Sequence, residues 1–164
     1  MKEKIAVYAG TFDPVTNGHL DVIERGSRLF DKLYVTIFIN PKKQTLFSVE
    51  ERVEMLKEAT KHLDNVIIDS SETLAVSYAK SVNANALLRG LRATVDFEYE
   101  LQLASSNHYL DDSIEMIFLM SKPKHSFISS STVKEIVSHN HSVKGLVPQF
   151  VEEALHKKIN ADEL

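Results

Sequence analysis

Cysteine is absent from this chain of 164 residues. Without it the protein can form neither a disulfide framework, nor a thiolate nucleophile, nor a cysteine zinc site. This absence fits a reducing compartment, and we expect the protein to be cytoplasmic.

An excess of basic residues is also lacking, and so are long apolar runs. Nineteen Lys and Arg face 23 Asp and Glu, a formal net charge of −4. No overall field therefore attracts nucleic acid or an anionic membrane, and a polyanionic ligand needs a local cationic cluster. The first apolar segment, residues 5–9, is too short for a signal-peptide core or a membrane span. We expect neither nucleic acid nor a membrane as partner.

Two common phosphate-binding motifs are missing. The chain contains no G-x-x-x-x-G-K-[ST] and no G-x-G-x-x-G. A Walker-type NTPase and a dinucleotide oxidoreductase therefore lose their main sequence support.

Short apolar runs alternate with helical patterns along the whole chain. Strands are predicted at residues 5–9, 33–39, 66–68, 86–88 and 114–120. Helices are predicted from 16–17, from 48 to about 62, at 74–82 and 97–110, from 129–132, and from 148 to about 159. This alternation predicts an α/β fold, a doubly wound parallel five-stranded sheet in a single domain over residues 1–164. Ligands of such sheets gather at the carboxyl ends of the strands.

The segment after the first predicted strand, residues 10–19, reads GTFDPVTNGH. Gly10 allows close approach of the backbone to a ligand, and the free N–H groups at a helix start favour an anion. His19 lies on the first turn, where its imidazole can donate to a phosphate oxygen. Taken alone, an ordinary loop with Thr16 or Asn17 as helix cap explains the pattern equally well.

Four sequence blocks together indicate a family. Residues 10–14 with T-N-G-H at 16–19 resemble the T/H-x-G-H signature of the nucleotidyltransferase superfamily, itself similar to the His-Ile-Gly-His motif of class I aminoacyl-tRNA synthetases. The blocks LRGLRA at 88–93, DFEYE at 96–100 and SFISSS at 126–131 follow in the order typical of the bacterial phosphopantetheine adenylyltransferase family. The resemblance runs from residue 5 to about 137. It implies a Rossmann-like nucleotidyltransferase fold.

The resemblance also implies a reaction: reversible transfer of an adenylyl group from ATP to 4′-phosphopantetheine. The products would be dephospho-coenzyme A and pyrophosphate, as a step of coenzyme A biosynthesis. The acceptor phosphate is already a nucleophile at neutral pH, so positioning and charge stabilisation suffice for catalysis. Mg²⁺ is expected, carried mainly by ATP and water rather than by a protein metal site. The resemblance further implies a homohexamer, which is the assembly typical of that family.

Two arginines and a lysine are the predicted cationic cluster. Arg89 and Arg92 flank Gly90 after a predicted strand, and guanidinium groups suit bidentate phosphate binding. The alternative is that both pair with Asp96 or Glu98. By resemblance, Arg89 would hold the acceptor phosphate and Arg92 the ATP phosphates. Lys43 resembles the family lysine that contacts the acceptor, whereas its neighbour Lys42 fits a solvated loop.

Glu100 resembles the family acid that contacts the nucleotide, although it could simply be a carboxylate near a helix start. Ser129, Ser130 and Ser131 offer hydroxyl and N–H groups at another helix start, suited to the β- and γ-phosphates. A capping box from Thr132 to Glu135 is the structural alternative for this segment.

The resemblance yields a full set of site residues. The predicted catalytic residues are His19, Lys43 and Arg92. The ATP-binding residues would be Thr11, Phe12, His19, Gly90, Leu91, Arg92, Glu100, His125, Ser126, Phe127, Ile128, Ser129, Ser130 and Ser131. The acceptor-binding residues would be Thr11, Lys43, Ala75 and Arg89. Two positions depart from the family pattern: His125 replaces an aromatic residue and Ala75 a larger apolar one.

Other interpretations of the same motifs stay open. Nicotinamide or nicotinate mononucleotide could be the adenylyl acceptor, and a small phosphate such as glycerol phosphate could be cytidylylated instead. A non-catalytic adenine-nucleotide sensor would keep the fold. A tRNA-binding role is disfavoured by the acidic charge balance.

Overall fold

A parallel five-stranded sheet forms the centre of the computed structural model, which describes residues 2–161 apart from the side chain of Val95. The strands are β1 (Ile5–Gly10), β2 (Lys32–Phe38), β3 (Val66–Ser71), β4 (Ala86–Leu91) and β5 (Glu115–Met120). Their order is β3-β2-β1-β4-β5. From β1 the sheet is extended first to one side, by β2 and β3, and then to the other side, by β4 and β5, so the switch point lies between β1 and β4. The doubly wound Rossmann-like sheet predicted from the sequence is confirmed, and its switch point is the expected place for a ligand.

Six α-helices accompany the sheet in the described part of the chain. They are α1 (Asn17–Leu29), α2 (Val49–Thr60), α3 (Ala75–Ser81), α4 (Thr94–Leu110), α5 (Ser130–Ser138) and α6 (Gln149–Ala161). Among residues 2–161 no helix is both long enough and apolar enough to cross a membrane.

Both faces of the sheet are buried, as the alternation of side chains along β1 shows. Ala6 and Tyr8 belong to one apolar cluster, whereas Ile5 and Val7 belong to the other. Successive side chains of a strand point to opposite faces, so each cluster covers one face of the sheet. The two clusters fix β1 at the middle of the molecule.

One helix start and one helix cap differ from the sequence predictions. Helix α4 begins at Thr94 rather than at residue 97, because its first turn contains Asp96, whose Oδ2 accepts the N–H of Arg92 at 3.0 Å. Apolar periodicity does not register that contact. The capping box predicted from Thr132 to Glu135 is wrong. Ser129 caps α5, and its Oγ accepts the N–H of Thr132, which lies within the first turn.

Helix α4 has an unusual distribution of polarity. Its buried side chains are polar, Glu100 at 5% and Asn107 at 7% exposed. Its large apolar side chains are exposed: Phe97, Tyr99, Leu101, Tyr109 and Leu110. An exposed apolar set of this size is typical of a surface that another molecule covers.

Candidate active site

The switch point between β1 and β4 gathers the predicted site residues. The loop after β1 carries Thr11 and Phe12 and leads into α1 with His19, while β4 carries Arg89. The aromatic ring of Phe12 packs edge-on against the imidazole, with ring centroids 5.0 Å apart. This contact holds the imidazole at the carboxyl edge of the sheet.

His19 takes part in a reciprocal cap of α1. The Thr16 N–H donates to His19 Nδ1 at 3.0 Å, and the His19 N–H donates to Thr16 Oγ1 at 3.3 Å. This is a capping box with histidine in the place usually taken by Glu or Gln. Because Nδ1 accepts a hydrogen bond, the neutral ring carries its proton on Nε2. The cap thus leaves an N–H donor for a ligand.

The charge state of His19 follows from its surroundings. Burial, with Arg92 and Arg89 nearby, lowers the pKa of His19 from 6.5 to about 4. The imidazole is therefore neutral at pH 7. It can stabilise an anionic oxygen as a hydrogen-bond donor but does not bring a positive charge.

The start of α1 offers fewer free N–H groups than the sequence suggests. The Asn17 N–H donates to Leu146 O at 2.8 Å, and the Asn17 side-chain amide donates to Gly145 O, also at 2.8 Å. The His19 N–H is used by the cap. Within residues 2–161 the Gly18 N–H donates to no group, so it is the backbone donor left for an anion.

Arg89 is half-buried and is held in an ion pair with the buried Glu100. Its Nε lies 3.0 Å from both carboxylate oxygens of Glu100, its Nη2 lies 2.6 Å from Oε1, and its Nη1 donates to Ala9 O at 2.7 Å. Burial alone would lower the pKa of Arg89, but the hydrogen bonds and charge of Glu100 raise it above its ordinary value. Glu100 thus orients Arg89 directly. The contact of Arg89 with the acceptor phosphate and that of Glu100 with the nucleotide stay predictions.

Arg92 is paired differently and is more exposed. Its Nε and Nη2 donate to the Asp96 carboxylate at 2.9 and 3.0 Å, which is the pairing considered as an alternative from the sequence. Its Nη1 donates to Ile128 O at 3.1 Å. Arg92 therefore connects the β4–α4 loop to the SFISSS block, and its side chain remains 38% exposed.

The SFISSS block lies beside the start of α1. A Cβ at Gly18 would lie 3.9 Å from both His125 O and Ile128 Cβ. Ser129 Oγ is used as the cap of α5, and Ser130 Oγ donates to Pro14 O at 2.8 Å. The Ser131 side chain is exposed, and its hydroxyl makes no hydrogen bond within residues 2–161.

The remaining residues predicted to bind ATP differ in burial and in hydrogen bonding. Ile128 and Leu91 are buried, whereas Phe127 is exposed. Ser126 Oγ donates to Pro123 O, and His125 Nδ1 is buried without a hydrogen-bond partner among the described residues. At Gly90 an added Cβ would lie 3.0 Å from Val22 Cγ2, so the close packing of β4 on α1 favours glycine there.

A cavity of about 230 Å³ opens beside the loop after β1. Lys43 and Thr11 line it, and Lys42 does not. Ala75 lies at the start of α3 and packs against the second apolar cluster. A larger groove of about 800 Å³ lies between residues 144–147 and α6, but none of the predicted site residues lines it.

Comparison with known proteins agrees with this arrangement. The model of the cytidylyltransferase-like family matches residues 7–136, which include all four sequence blocks. The chain belongs to the cytidylyltransferase-like family. It is accordingly a nucleotidyltransferase, and the family implies binding of a nucleoside triphosphate.

Solved structures show the same fold as this family member. A putative nicotinate-nucleotide adenylyltransferase from Vibrio parahaemolyticus superposes with a TM-score of 0.73 at 17% identity, covering 95% of this chain and 93% of that one. At this identity the likeness concerns the fold alone.

Two residues of this cytidylyltransferase-like chain escaped the sequence analysis. Asp13 accepts the N–H groups of Leu46 and Phe47, both at 2.9 Å, and pairs with Lys134 Nζ at 2.9 Å. Arg52 is 3% exposed and donates to Thr11 O. The available signal for Arg52 was a charged residue three and four positions before Met55 and Leu56, on the apolar face of α2.

Proposed function

We propose that this nucleotidyltransferase moves the adenylyl group of ATP onto 4′-phosphopantetheine, reversibly, giving dephospho-coenzyme A and pyrophosphate. The observation that supports transfer chemistry is the neutral His19, whose Nε2–H is left over from the α1 cap at the sheet's switch point. The order of the four sequence blocks supports the choice of acceptor.

The reaction needs no covalent intermediate. An oxygen of the acceptor phosphate attacks the α-phosphorus of ATP, the bond from that phosphorus to the bridging oxygen breaks, and pyrophosphate leaves with the electron pair. The His19 Nε2–H would stabilise negative charge on the α-phosphate. Lys43 and Arg89 would orient the acceptor, and Thr11 would contact both substrates.

The leaving pyrophosphate would be held at the meeting point of α1 and the SFISSS block. Arg92 would supply the charge, and the Gly18 N–H and the Ser131 hydroxyl are donors without partners in the described part of the chain. Asp96 and Ile128 O already fix the Arg92 guanidinium, so little reorganisation is needed.

Mg²⁺ is proposed to enter with ATP. Within residues 2–161 no group of three or more His, Asp or Glu side chains could hold a metal ion. The ion would therefore be bound by phosphate oxygens and water, which Mg²⁺ commonly retains, and would neutralise phosphate charge.

Two further parts of the proposal concern the state of the protein. The exposed apolar side chains of α4 support a homo-oligomer, for which the family resemblance suggests a hexamer. The cysteine-free composition supports a cytoplasmic enzyme.

A second candidate acceptor is nicotinate mononucleotide, because the structural neighbour is named as a nicotinate-nucleotide adenylyltransferase. Pyrophosphate release from ATP and Mg²⁺ tests both candidates, with 4′-phosphopantetheine, nicotinate mononucleotide or no acceptor in parallel reactions. Release only with phosphopantetheine is the expected result. Release only with the mononucleotide would replace the acceptor, and ATP binding without release in any reaction would indicate a nucleotide sensor.

A further inference from the structure

Arg52 joins two segments that border the cavity next to the switch point. Its Nη1 donates to Thr11 O at 2.9 Å, in the loop after β1, and its Nε donates to Ser48 O at 3.2 Å, at the cap of α2. The side chain is only 3% exposed. The proposed mechanism does not use it.

The guanidinium has no carboxylate partner among residues 2–161. Asp13, a buried carboxylate nearby, is already engaged by the N–H groups of Leu46 and Phe47 and by Lys134. Burial lowers the pKa of Arg52, and the charges of Asp13 and Glu50 oppose that shift. Arginine stays protonated in proteins. The guanidinium is therefore a buried cation whose countercharges are not hydrogen-bonded to it, an arrangement that costs stability.

Arg52 lines the same cavity as Thr11 and Lys43. Within the described residues its Nη2 donates to no group, and the cavity therefore contains positive charge from two side chains. An acceptor that brings a phosphate dianion would complete the charge balance.

We infer that Arg52 is a positioning residue for the phosphate-bearing acceptor, which fixes the Thr11 main chain against α2 and makes the cavity electropositive. The inference rests on the proposed function for the identity of the acceptor. The main effect of Arg52 is expected on the acceptor, because Lys43 in the same cavity is predicted to bind the acceptor alone, whereas Thr11 is predicted to contact both substrates.

Steady-state kinetics of Arg52→Met and Arg52→Lys test this inference. Arg52→Met should lower kcat and raise the KM for phosphopantetheine about tenfold, the effect of losing one interaction of about 1.4 kcal/mol. The KM for ATP should rise less than that for phosphopantetheine, because most of the predicted ATP contacts lie on segments other than that of Thr11. Arg52→Lys retains the charge and one donor, so it should recover part of the loss.

Arg25→Met is the matched control. Arg25 is a partly exposed arginine that pairs with Asp21 and, like Arg52, donates from Nη1 to a carbonyl, Met120 O at 2.8 Å, but it lies outside the cavity lining. Both of its KM values should equal those of the wild type.

Some outcomes would contradict the inference. A melting temperature lowered by Arg52→Met, with unchanged KM values in the folded fraction, would show a purely structural role. Equal increases in the two KM values would overturn the inference as well. If Arg52→Met does not fold, Arg52→Lys provides the test. Its KM for phosphopantetheine should then rise more than its KM for ATP.

Failure of the proposed function can be separated from failure of this inference. If the wild type releases no pyrophosphate with phosphopantetheine, the proposed function fails, and amide hydrogen exchange then tests Arg52. Arg52→Lys should accelerate exchange in residues 11–13 and 46–48 and leave the central strands unchanged. Unchanged exchange in those two segments would overturn the inference.

Discussion

At the scale of single residues, the two ring nitrogens of His19 have different surroundings. Nδ1 closes the cap of α1 on Thr16, whereas Nε2–H is the donor that the proposed function assigns to the α-phosphate. A Glu or Gln at this position would close the same cap. The two functions can therefore be separated by substitution.

We expect His19→Ala and His19→Glu to differ in stability but not in loss of activity. Alanine removes the acceptor of the Thr16 N–H but keeps the backbone N–H that donates to Thr16 Oγ1, and it should lower the free energy of unfolding by about 1 kcal/mol. Glutamate keeps an acceptor for the Thr16 N–H, so its stability should stay close to that of the wild type. Both lack the donor to the α-phosphate, and kcat should fall by roughly 10²-fold or more. Urea unfolding and pyrophosphate release measure the two effects; near-normal turnover by either folded variant would contradict the role of His19.

His19 also predicts a pH dependence of stability. Its pKa in the folded protein is about 4, below the ordinary value of 6.5, so the unfolded state binds the proton first as the pH falls. The stabilisation is complete above pH 6.5 and is lost between pH 6.5 and 4. Over that window the wild type should lose up to about 1.4 kcal/mol per pH unit relative to His19→Gln. Urea unfolding at pH 7, 6, 5 and 4.5 measures this effect. A difference in free energy of unfolding between the two proteins that is the same at every pH would refute the prediction.

The sequence identifies some site residues more readily than their partners. Thr16 and His19 are three positions apart, so a cap between them is a local pattern. The partner of Arg89 is Glu100, eleven positions away on another element. The resemblance assigns these two residues to different substrates, which stays a prediction. Their pairing was not predicted, because the turn between β4 and α4 that brings them together has no periodic signal.

At the scale of elements, the Arg89–Glu100 pair ties three of them together. Arg89 lies on β4, its partner carboxylate on α4, and its third acceptor, Ala9 O, on β1. A partly buried pair of this kind is costly to break from one side, because the other charge loses its partner.

Comparison of Glu100→Gln with Asp96→Asn tests the importance of that burial. The first should lower the free energy of unfolding by about 2 kcal/mol, because the half-buried Arg89 loses its countercharge. It should also raise the KM for the acceptor. The second affects the more exposed pair with Arg92 and should cost less than about 1 kcal/mol. Urea denaturation gives both values, and equal costs would show that the two pairs are equivalent.

Element positions follow from the sequence where apolar patterns define them. All five strands were located by their apolar runs, and the predicted start of α2 at residue 48 agrees with the structure, where Ser48 and Glu51 form a capping box. The start of α4 and the cap of α5 were predicted wrongly, because side-chain contacts of Asp96 and Ser129 determine them. Both contacts are local, but an apolar pattern does not reveal them.

At the scale of the whole molecule, the parallel sheet explains why four distant blocks meet. The strand order β3-β2-β1-β4-β5 places β1 and β4 side by side, and the loops that follow them carry His19 and Arg92. The sequence predicts parallel strands through the helices between them. It does not contain the order of the strands, which follows from how the helices pack on both faces.

The exposed apolar side of α4 predicts an assembly in solution. We expect the wild type to be a homohexamer and Tyr109→Glu with Leu110→Glu to have a lower mass by light scattering, since charges on a covered apolar surface are costly. Tyr109 is 90% exposed in the single chain. Leu29→Glu, at an equally exposed leucine on α1, should keep the wild-type mass. Identical masses for all three proteins would exclude this surface as the interface.

The hydrogen bonds from Asn17 to main-chain carbonyls affect which positions of the C-terminal loop can change in sequence. Residues 145 and 146 lie beyond the stretch matched by the family model, yet their carbonyl oxygens hold the first residue of the motif helix. A carbonyl is the same whatever side chain its residue carries, so most of this C-terminal loop can drift without disturbing the catalytic motif. Gly145 is the exception, because its φ of +82° suits glycine. A segment can thus look unrelated between homologues and still hold the motif helix in the same way.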